Sequence, residues 1–202
     1  KGSFDLWKGD VFLACASYGF LCLSQQMVDE SLPLFMKTPV EDGGLGFSER
    51  NIGSALAFGG VATAGMALYI TPILEQKYGA VVLYKVGVAF CTPLFAFVFL
   101  IGEIWTYVPS WAGWVLISLM VFMKNMFLNV AFTGTSINIC NSVPSNHLAS
   151  AMGVAQTMGA FARTVGPAFC GVLWSVGLYF EFLPLTFLVI GLSCLVCVKI
   201  SM

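Results

Sequence analysis

The chain has 202 residues, of which 58% are hydrophobic and 9% are charged, and its formal net charge is −1. Soluble domains carry about 25% charged residues, so this composition excludes an ordinary soluble domain and predicts a polytopic membrane protein. No basic tract is present, and no nucleic-acid partner is expected.

Six apolar stretches approach the roughly 20 residues that cross a bilayer. They are separated by short segments rich in proline, glycine and asparagine. We therefore predict an all-α fold in which residues 1–202 form one bundle of six transmembrane helices. The predicted spans cover residues 10–36, 50–74, 80–104, 111–139, 148–178 and 182–200.

Basic residues are distributed unequally between the two sides of this topology. The positive-inside rule places both termini and the second–third loop in the cytosol. The predicted cytosolic side holds Lys1, Lys8, Lys77, Lys85 and Lys199, whereas the opposite side holds Lys37 and Arg50.

The first span carries two adjacent carboxylates, Asp29 and Glu30, which are followed by Pro33. At 1.5 Å per residue they lie about 25–30 Å from the cytosolic end of the helix. A charge inside a bilayer is costly and typical of ion, proton or substrate sites. The alternatives are a structural ion pair and side chains that reach the outer interface.

The fourth span contains Lys124, Asn125 and Asn129. Lys124 lies about 20 Å from the outer end of its helix, which places it nearer the midplane. We predict that these polar groups gate or bind an ion, a proton or a charged substrate, with structural pairing between helices as the alternative.

Small residues recur in the fifth span at the spacing that lets membrane helices approach closely. The second span has a similar series, and close backbone contacts are predicted for both. The fifth-span series is Ala155, Gly159, Ala162 and Gly166, and the second-span series is Gly53, Ala57, Gly60 and Ala64.

Arg163 interrupts the fifth span at about the depth predicted for Asp29 and Glu30. A guanidinium at this depth costs several kcal/mol unless a counter-charge or water is near, about 2.5–3.5 on insertion scales. We therefore predict that Arg163 approaches one of the two carboxylates in at least one conformation. Gly166-Pro167 follows and is predicted to act as a conformational hinge.

The sequence lacks the residue patterns of a metal site, a nucleophilic triad or a phosphate-binding loop. We therefore expect no cofactor, no metal, no catalytic residue and no enzymatic activity. Cys194-x-x-Cys197 is interpreted as two small apolar residues on one helix, because the seven cysteines lie in or beside apolar runs.

The fifth span resembles the Gly-Pro motif of the major facilitator superfamily through Gly153, Gly166-Pro167 and Gly171, although Ala162 and Cys170 replace usual glycines. Three further stretches are similar to the C-terminal half of zinc-induced facilitator-like transporters of plants and fungi. These are residues 29–34 (DESLPL), 43–48 (GGLGFS) and 123–125 (MKN).

This resemblance implies one six-helix half of a twelve-helix transporter, and alternating access between the halves. The implied function is secondary active transport of a small solute or ion, proton-coupled and of the antiporter type. Asp29 and Glu30 would then be the proton or cation sites. The expected partners are the substrate, membrane lipid, and an N-terminal half or another membrane subunit. The alternative is a non-transporting accessory subunit of a larger membrane complex.

Overall fold

A computed structural model of the chain describes residues 9–200, in which the long elements are helices. Short 3-10 turns at Val40–Asp42 and Ser145–His147 lie in two of the connections. The helices are α1 (Asp10–Lys37), α2 (Glu49–Gly65), α3 (Thr71–Tyr78), α4 (Ala80–Ala96), α5 (Leu100–Trp105), α6 (Ser110–Asn141), α7 (Leu148–Tyr179) and α8 (Pro184–Ile200).

The helices follow the predicted spans in order, and the all-α fold is confirmed. Four segments are long and apolar enough to cross a membrane: Val11–Lys37, Glu49–Tyr78, Trp111–Asn141 and Ser145–Tyr179. Ala80–Ala96 and Pro184–Cys197 are shorter apolar helices. The count of six spans therefore stays a prediction, and four are supported by length and composition.

The predicted third span, residues 80–104, is interrupted in the structure. α4 contains Pro93 and ends at Ala96, where the Phe97 N–H bonds to the Pro93 carbonyl. A turn follows, and the chain resumes as α5. Each of these helices is therefore shorter than the roughly 20 residues that span a bilayer.

α1 lies between α6 and α7, the two helices that carry the basic residues of the predicted site. α1 packs against α7, α8 and α6, while α4 packs against α6 and α8, and α2 packs against α6. The apolar core lies between α1, α4, α6 and α8, with the fully buried Phe35, Val88, Ile117 and Phe187 among its members. α2 and α7 are consequently attached to the bundle mainly from one side.

The predicted close approach of the fifth span is confirmed and is directed at α1. The small residues of α7, including Ala155, Gly159 and Gly166, are buried along one face of the helix. A Cβ added at Gly159 would lie 2.8 Å from Tyr18 Cε1 and 3.0 Å from Cys22 Sγ. There is thus no room for a side chain at this position.

The predicted packing of the second span is wrong in its choice of face. Gly53 and Gly60 are exposed, and a Cβ at either would meet nothing within 4 Å. The close approach occurs instead at buried Gly59, where a Cβ would lie 2.7 Å from Asn125 Nδ2. Small residues lie on more than one face of α2, and spacing alone does not show which face packs against α6.

Replacing Gly159 by leucine is expected to lower the free energy of unfolding by about 1–3 kcal/mol or more, because the side chain overpacks the α1–α7 contact. The matched control is Gly153→Leu on the same helix, where a Cβ would meet nothing within 4 Å. Melting temperatures of the two variants in detergent check the prediction. Equal melting temperatures would show that the α1–α7 contact is not close-packed at Gly159.

Candidate functional site

Four polar or polarisable residues of α1 lie on one face of the helix. Tyr18, Cys22, Gln25 and Asp29 are spaced by four, three and four residues, the period of one helical face. We call these four residues the α1 polar face. Side chains from α6 and α7 contact this face at two heights, and their charges define the candidate site.

At the height of Asp29, near the C-terminal end of α1, α6 places the Lys124 ammonium group beside the Asp29 carboxylate. Lys124 Nζ donates a hydrogen bond to Asp29 Oδ1 at 2.5 Å, and the two form an ion pair. The Lys124 side chain is 5% exposed, whereas that of Asp29 is 38% exposed. The ammonium group is therefore enclosed by protein, while the carboxylate is accessible from outside the pair.

Arg163, the predicted partner of Asp29 or Glu30, is not paired with either carboxylate in this conformation. Its Nη2 donates to Cys22 Sγ at 3.5 Å, and it interacts electrostatically with Tyr18. Arg163 thus meets the α1 polar face seven residues before Asp29, about 10 Å along the axis.

The pairing of Lys124 with Asp29 was not predicted from depth, because α6 is longer than a bilayer is thick. Its 32 residues extend for about 48 Å, so depth measured from one end differs from depth measured from the other. Lys124 lies 17 residues before Asn141, about 25 Å from the C-terminal end of α6, and Asp29 lies at a similar distance from the N-terminal end of α1. Its flexible four-carbon stem spans the remaining difference.

Glu30 lies apart from this ion pair. It is exposed, and its Oε1 accepts a hydrogen bond from Gln26 Nε2 at 3.1 Å. Gln26 in turn packs against Gly166, where an added Cβ would lie 3.0 Å from the Gln26 Cβ. The adjacent carboxylates of α1 therefore have different surroundings, and only Asp29 is paired with a buried cation.

Of the two candidate asparagines of α6, Asn125 faces α2 and Asn129 faces the start of α3. Asn125 lies beside Gly59, and Asn129 Oδ1 accepts a hydrogen bond from the buried Thr71 Oγ1 at 2.8 Å. Thr71 follows a π-helical segment, Met66–Ile70, that interrupts the second long helical segment. Such segments insert one extra residue and occur frequently at functional sites.

The predicted hinge at Gly166-Pro167 lies inside an uninterrupted α7. Gly166 is buried against α1, and Pro167 is half-buried. Proline removes one backbone hydrogen bond, which weakens the helix locally without ending it. Its role as a hinge stays a prediction.

Tyr18, Gln156 and Thr71 were not predicted from the sequence to belong to the site. Gln156 Nε2 donates to the Tyr18 hydroxyl at 3.1 Å. Tyr18 lies one helical turn before Cys22, the residue that accepts from Arg163. The four-three-four spacing of polar residues in α1 would have identified Tyr18. The π-helical segment that positions Thr71 has no comparable signal in the sequence.

The described residues contain no candidate metal site, and the side chains of three of the basic residues used for the predicted orientation are not described. Within residues 9–200, no cluster of His, Cys, Asp and Glu side chains has the arrangement of a metal site. Lys1 and Lys8, on which the predicted orientation partly depends, lie outside the described residues, as does the side chain of Lys199.

Comparison with known proteins identifies relatives among membrane transporters. The chain is 27% identical over 195 residues to the major facilitator superfamily multidrug transporter mfsB of Aspergillus fumigatus, a match that covers 91% of this chain. It is 28% identical to Zinc Induced Facilitator 1 and 25% identical to Zinc Induced Facilitator-Like 1, both of Arabidopsis thaliana, over 78% of this chain.

The chain spans about a third of the length of these relatives, 32% in each case. No family model matches the chain, and no solved structure matches it. The predicted resemblance to the major facilitator superfamily and to zinc-induced facilitator-like transporters is confirmed. Together with the long apolar helices, this resemblance identifies a multi-pass integral membrane protein.

Proposed function

We propose that the protein is a proton-coupled secondary transporter that moves a small solute across a membrane by alternating access. The observation that carries this proposal is the ion pair between buried Lys124 and half-exposed Asp29, located within long apolar helices. An ionisable pair at membrane depth is costly to maintain and is typical of ion and proton pathways. The similarity to major facilitator transporters supports the same conclusion.

Asp29 is proposed as the proton-binding group. Because its side chain is 38% exposed, a proton from water reaches it without unfolding the bundle. Protonation removes the charge that holds Lys124 and so weakens the contact between α1 and α6. An ion pair that breaks on protonation couples the charge state of the site to the arrangement of the helices.

The other candidate residues have supporting roles in this proposal. Asn125 and Asn129 line the solute path near α2 and α3, and Gly166-Pro167 allows α7 to bend. The bundle works with a second six-helix half, and the solute lies between the two halves near the midplane. Both termini of the bundle lie in the cytosol, as the distribution of basic residues predicts.

The proposal is tested with the full-length protein in liposomes that contain a pH-sensitive dye. We expect at least one member of a panel of small solutes to cause proton movement across the membrane when it is added outside. The expected rate in the double variant Asp29→Asn/Lys124→Gln equals that of protein-free liposomes, because the proton-binding group is absent.

The matched control replaces the exposed pair Lys37–Glu49, which is remote from the α1 polar face, by Gln and Gln. This variant also neutralises one ion pair, and it is expected to retain solute-dependent proton movement. The transport proposal fails if no solute moves protons in the wild-type protein. Purification as a fixed part of a larger complex, with the α1 polar face covered by another subunit, would favour the accessory role instead.

A further inference from the structure

Arg163 is a cation without a carboxylate partner among the described residues. The ion pairs found within residues 9–200 are Lys37–Glu49 and Lys124–Asp29, and neither includes Arg163. The side chains that contact the guanidinium are the Cys22 thiol and the Tyr18 hydroxyl, and neither is a carboxylate. With Asp29 and Lys124 cancelling, the α1 polar face and its contacts carry a net charge of +1.

The guanidinium is held in place but is not enclosed. Arg163 is exposed, whereas its contacts Tyr18 and Cys22 are buried, at 5% and 0% exposure. Tyr18 is fixed on two sides, by the hydrogen bond from Gln156 and by an edge-to-face contact with Phe132. One edge of the guanidinium therefore faces α1, and its remaining N–H groups are available to a ligand.

Gln156 lies seven residues before Arg163 and so projects from the same side of α7. It is also exposed, and its amide has donor capacity beyond the bond to Tyr18. The site thus combines a fixed planar cation and an amide on one accessible face, and the buried Tyr18 hydroxyl lies behind them. These donors match the geometry of a carboxylate or phosphate group, which guanidinium groups bind through two parallel hydrogen bonds.

We propose that Arg163 and Gln156, both positioned by contacts with Tyr18, form a subsite for the oxyanion of a small soluble substrate, a carboxylate or a phosphate. This inference rests on the proposed transport function and names the charge class of the solute. The oxyanion supplies the counter-charge that Arg163 lacks at membrane depth, where an unpaired guanidinium is costly. Asp29 remains free for the proton, because the two groups are separated by about two turns of α1.

The test measures binding and not transport, so its failure is distinct from failure of the proposed function. Purified full-length protein in lipid-free detergent is titrated with succinate or inorganic phosphate at constant ionic strength. Succinamide serves as the neutral counterpart of succinate. We expect succinate or phosphate, but not succinamide, to raise the melting temperature in a saturable manner.

Arg163→Gln is expected to weaken this response about tenfold or more, the effect of losing a charge-assisted hydrogen bond. Arg163→Lys is expected to give an intermediate response, because it retains the charge but not the planar fork. Arg50→Gln is the charge-matched control, since Arg50 is exposed at the start of α2, and it is expected to bind as the wild type does.

Three results would overturn the proposal. The first is an absence of saturable stabilisation by both anions in the wild-type protein. The second is equal stabilisation in Arg163→Gln and the wild type. The third is a response that appears only when anionic lipid is restored, which would identify a lipid headgroup as the ligand. If the first result is accompanied by a lower melting temperature of Arg163→Gln than of the wild type, another part of the protein supplies the counter-charge.

Discussion

Asp29→Asn is expected to lower the free energy of unfolding by about 3–5 kcal/mol, because it leaves the buried Lys124 ammonium without its counter-charge. Lys124→Met is expected to cost less, about 1–3 kcal/mol, since the remaining Asp29 carboxylate is 38% exposed and keeps contact with water. The double variant is expected to recover most of the loss. The free energy of unfolding in mixed detergent micelles is measured for the wild type, the two single variants and the double variant.

The exposed pair Lys37–Glu49 provides the matched control within the same chain. Its side chains are 57% and 89% exposed, so Lys37→Met is expected to change the stability by less than about 1 kcal/mol. A Lys124→Met variant less stable than Asp29→Asn would contradict the assignment of Lys124 as the enclosed partner. Strictly additive effects in the double variant would show that the two residues do not interact.

The fold was predictable from the sequence where apolar length determines it. Four helices, α1, α6, α7 and α8, agree with their predicted spans within a few residues, because apolar segments in a membrane must satisfy their backbone hydrogen bonds internally. The break after α4 was not predicted. Pro93 alone does not determine whether a helix bends or ends, since that depends on the neighbours that satisfy the freed backbone groups.

The small-residue series show the same limit at the level of packing. Spacing predicted that Gly159 and Gly53 would both lie in close contacts, and only Gly159 does. Both glycines belong to a series with the required spacing. This spacing is a property of one helix, and it does not show which face of that helix contacts a neighbouring helix. The contacts between helices decide the outcome, with α7 packed along α1 and Gly59, not Gly53, facing α6.

The sequence predicted which residues belong to the site better than it predicted which of them contact one another. The six polar residues proposed from the sequence include both members of the Lys124–Asp29 pair, because charges within apolar spans are conspicuous. The partner of Asp29 was assigned to Arg163 from depth alone. Depth fixes height and not direction, and the structure shows Lys124 and Arg163 contacting one face of α1 at two heights.

The largest functional effect is expected for the neutral pair, Asp29→Asn with Lys124→Gln. In the full-length protein this variant is expected to lose accumulation of solute against its gradient, because no group at the site gains or loses the coupled proton. It is expected to retain exchange of internal for external solute. Exchange returns the carrier loaded in both directions and needs no net proton movement. The double substitution also leaves neither member of the Lys124–Asp29 pair as an unpaired charge.

Measuring both activities in the same proteoliposomes separates coupling from folding and substrate binding. A misfolded variant loses accumulation and exchange together, which would assign the pair a structural role. Glu30→Gln distinguishes the two adjacent carboxylates, and we expect it to retain accumulation because Glu30 is exposed and hydrogen-bonded to Gln26. Loss of accumulation in Glu30→Gln, with the neutral pair unaffected, would move the coupling site from Asp29 to Glu30.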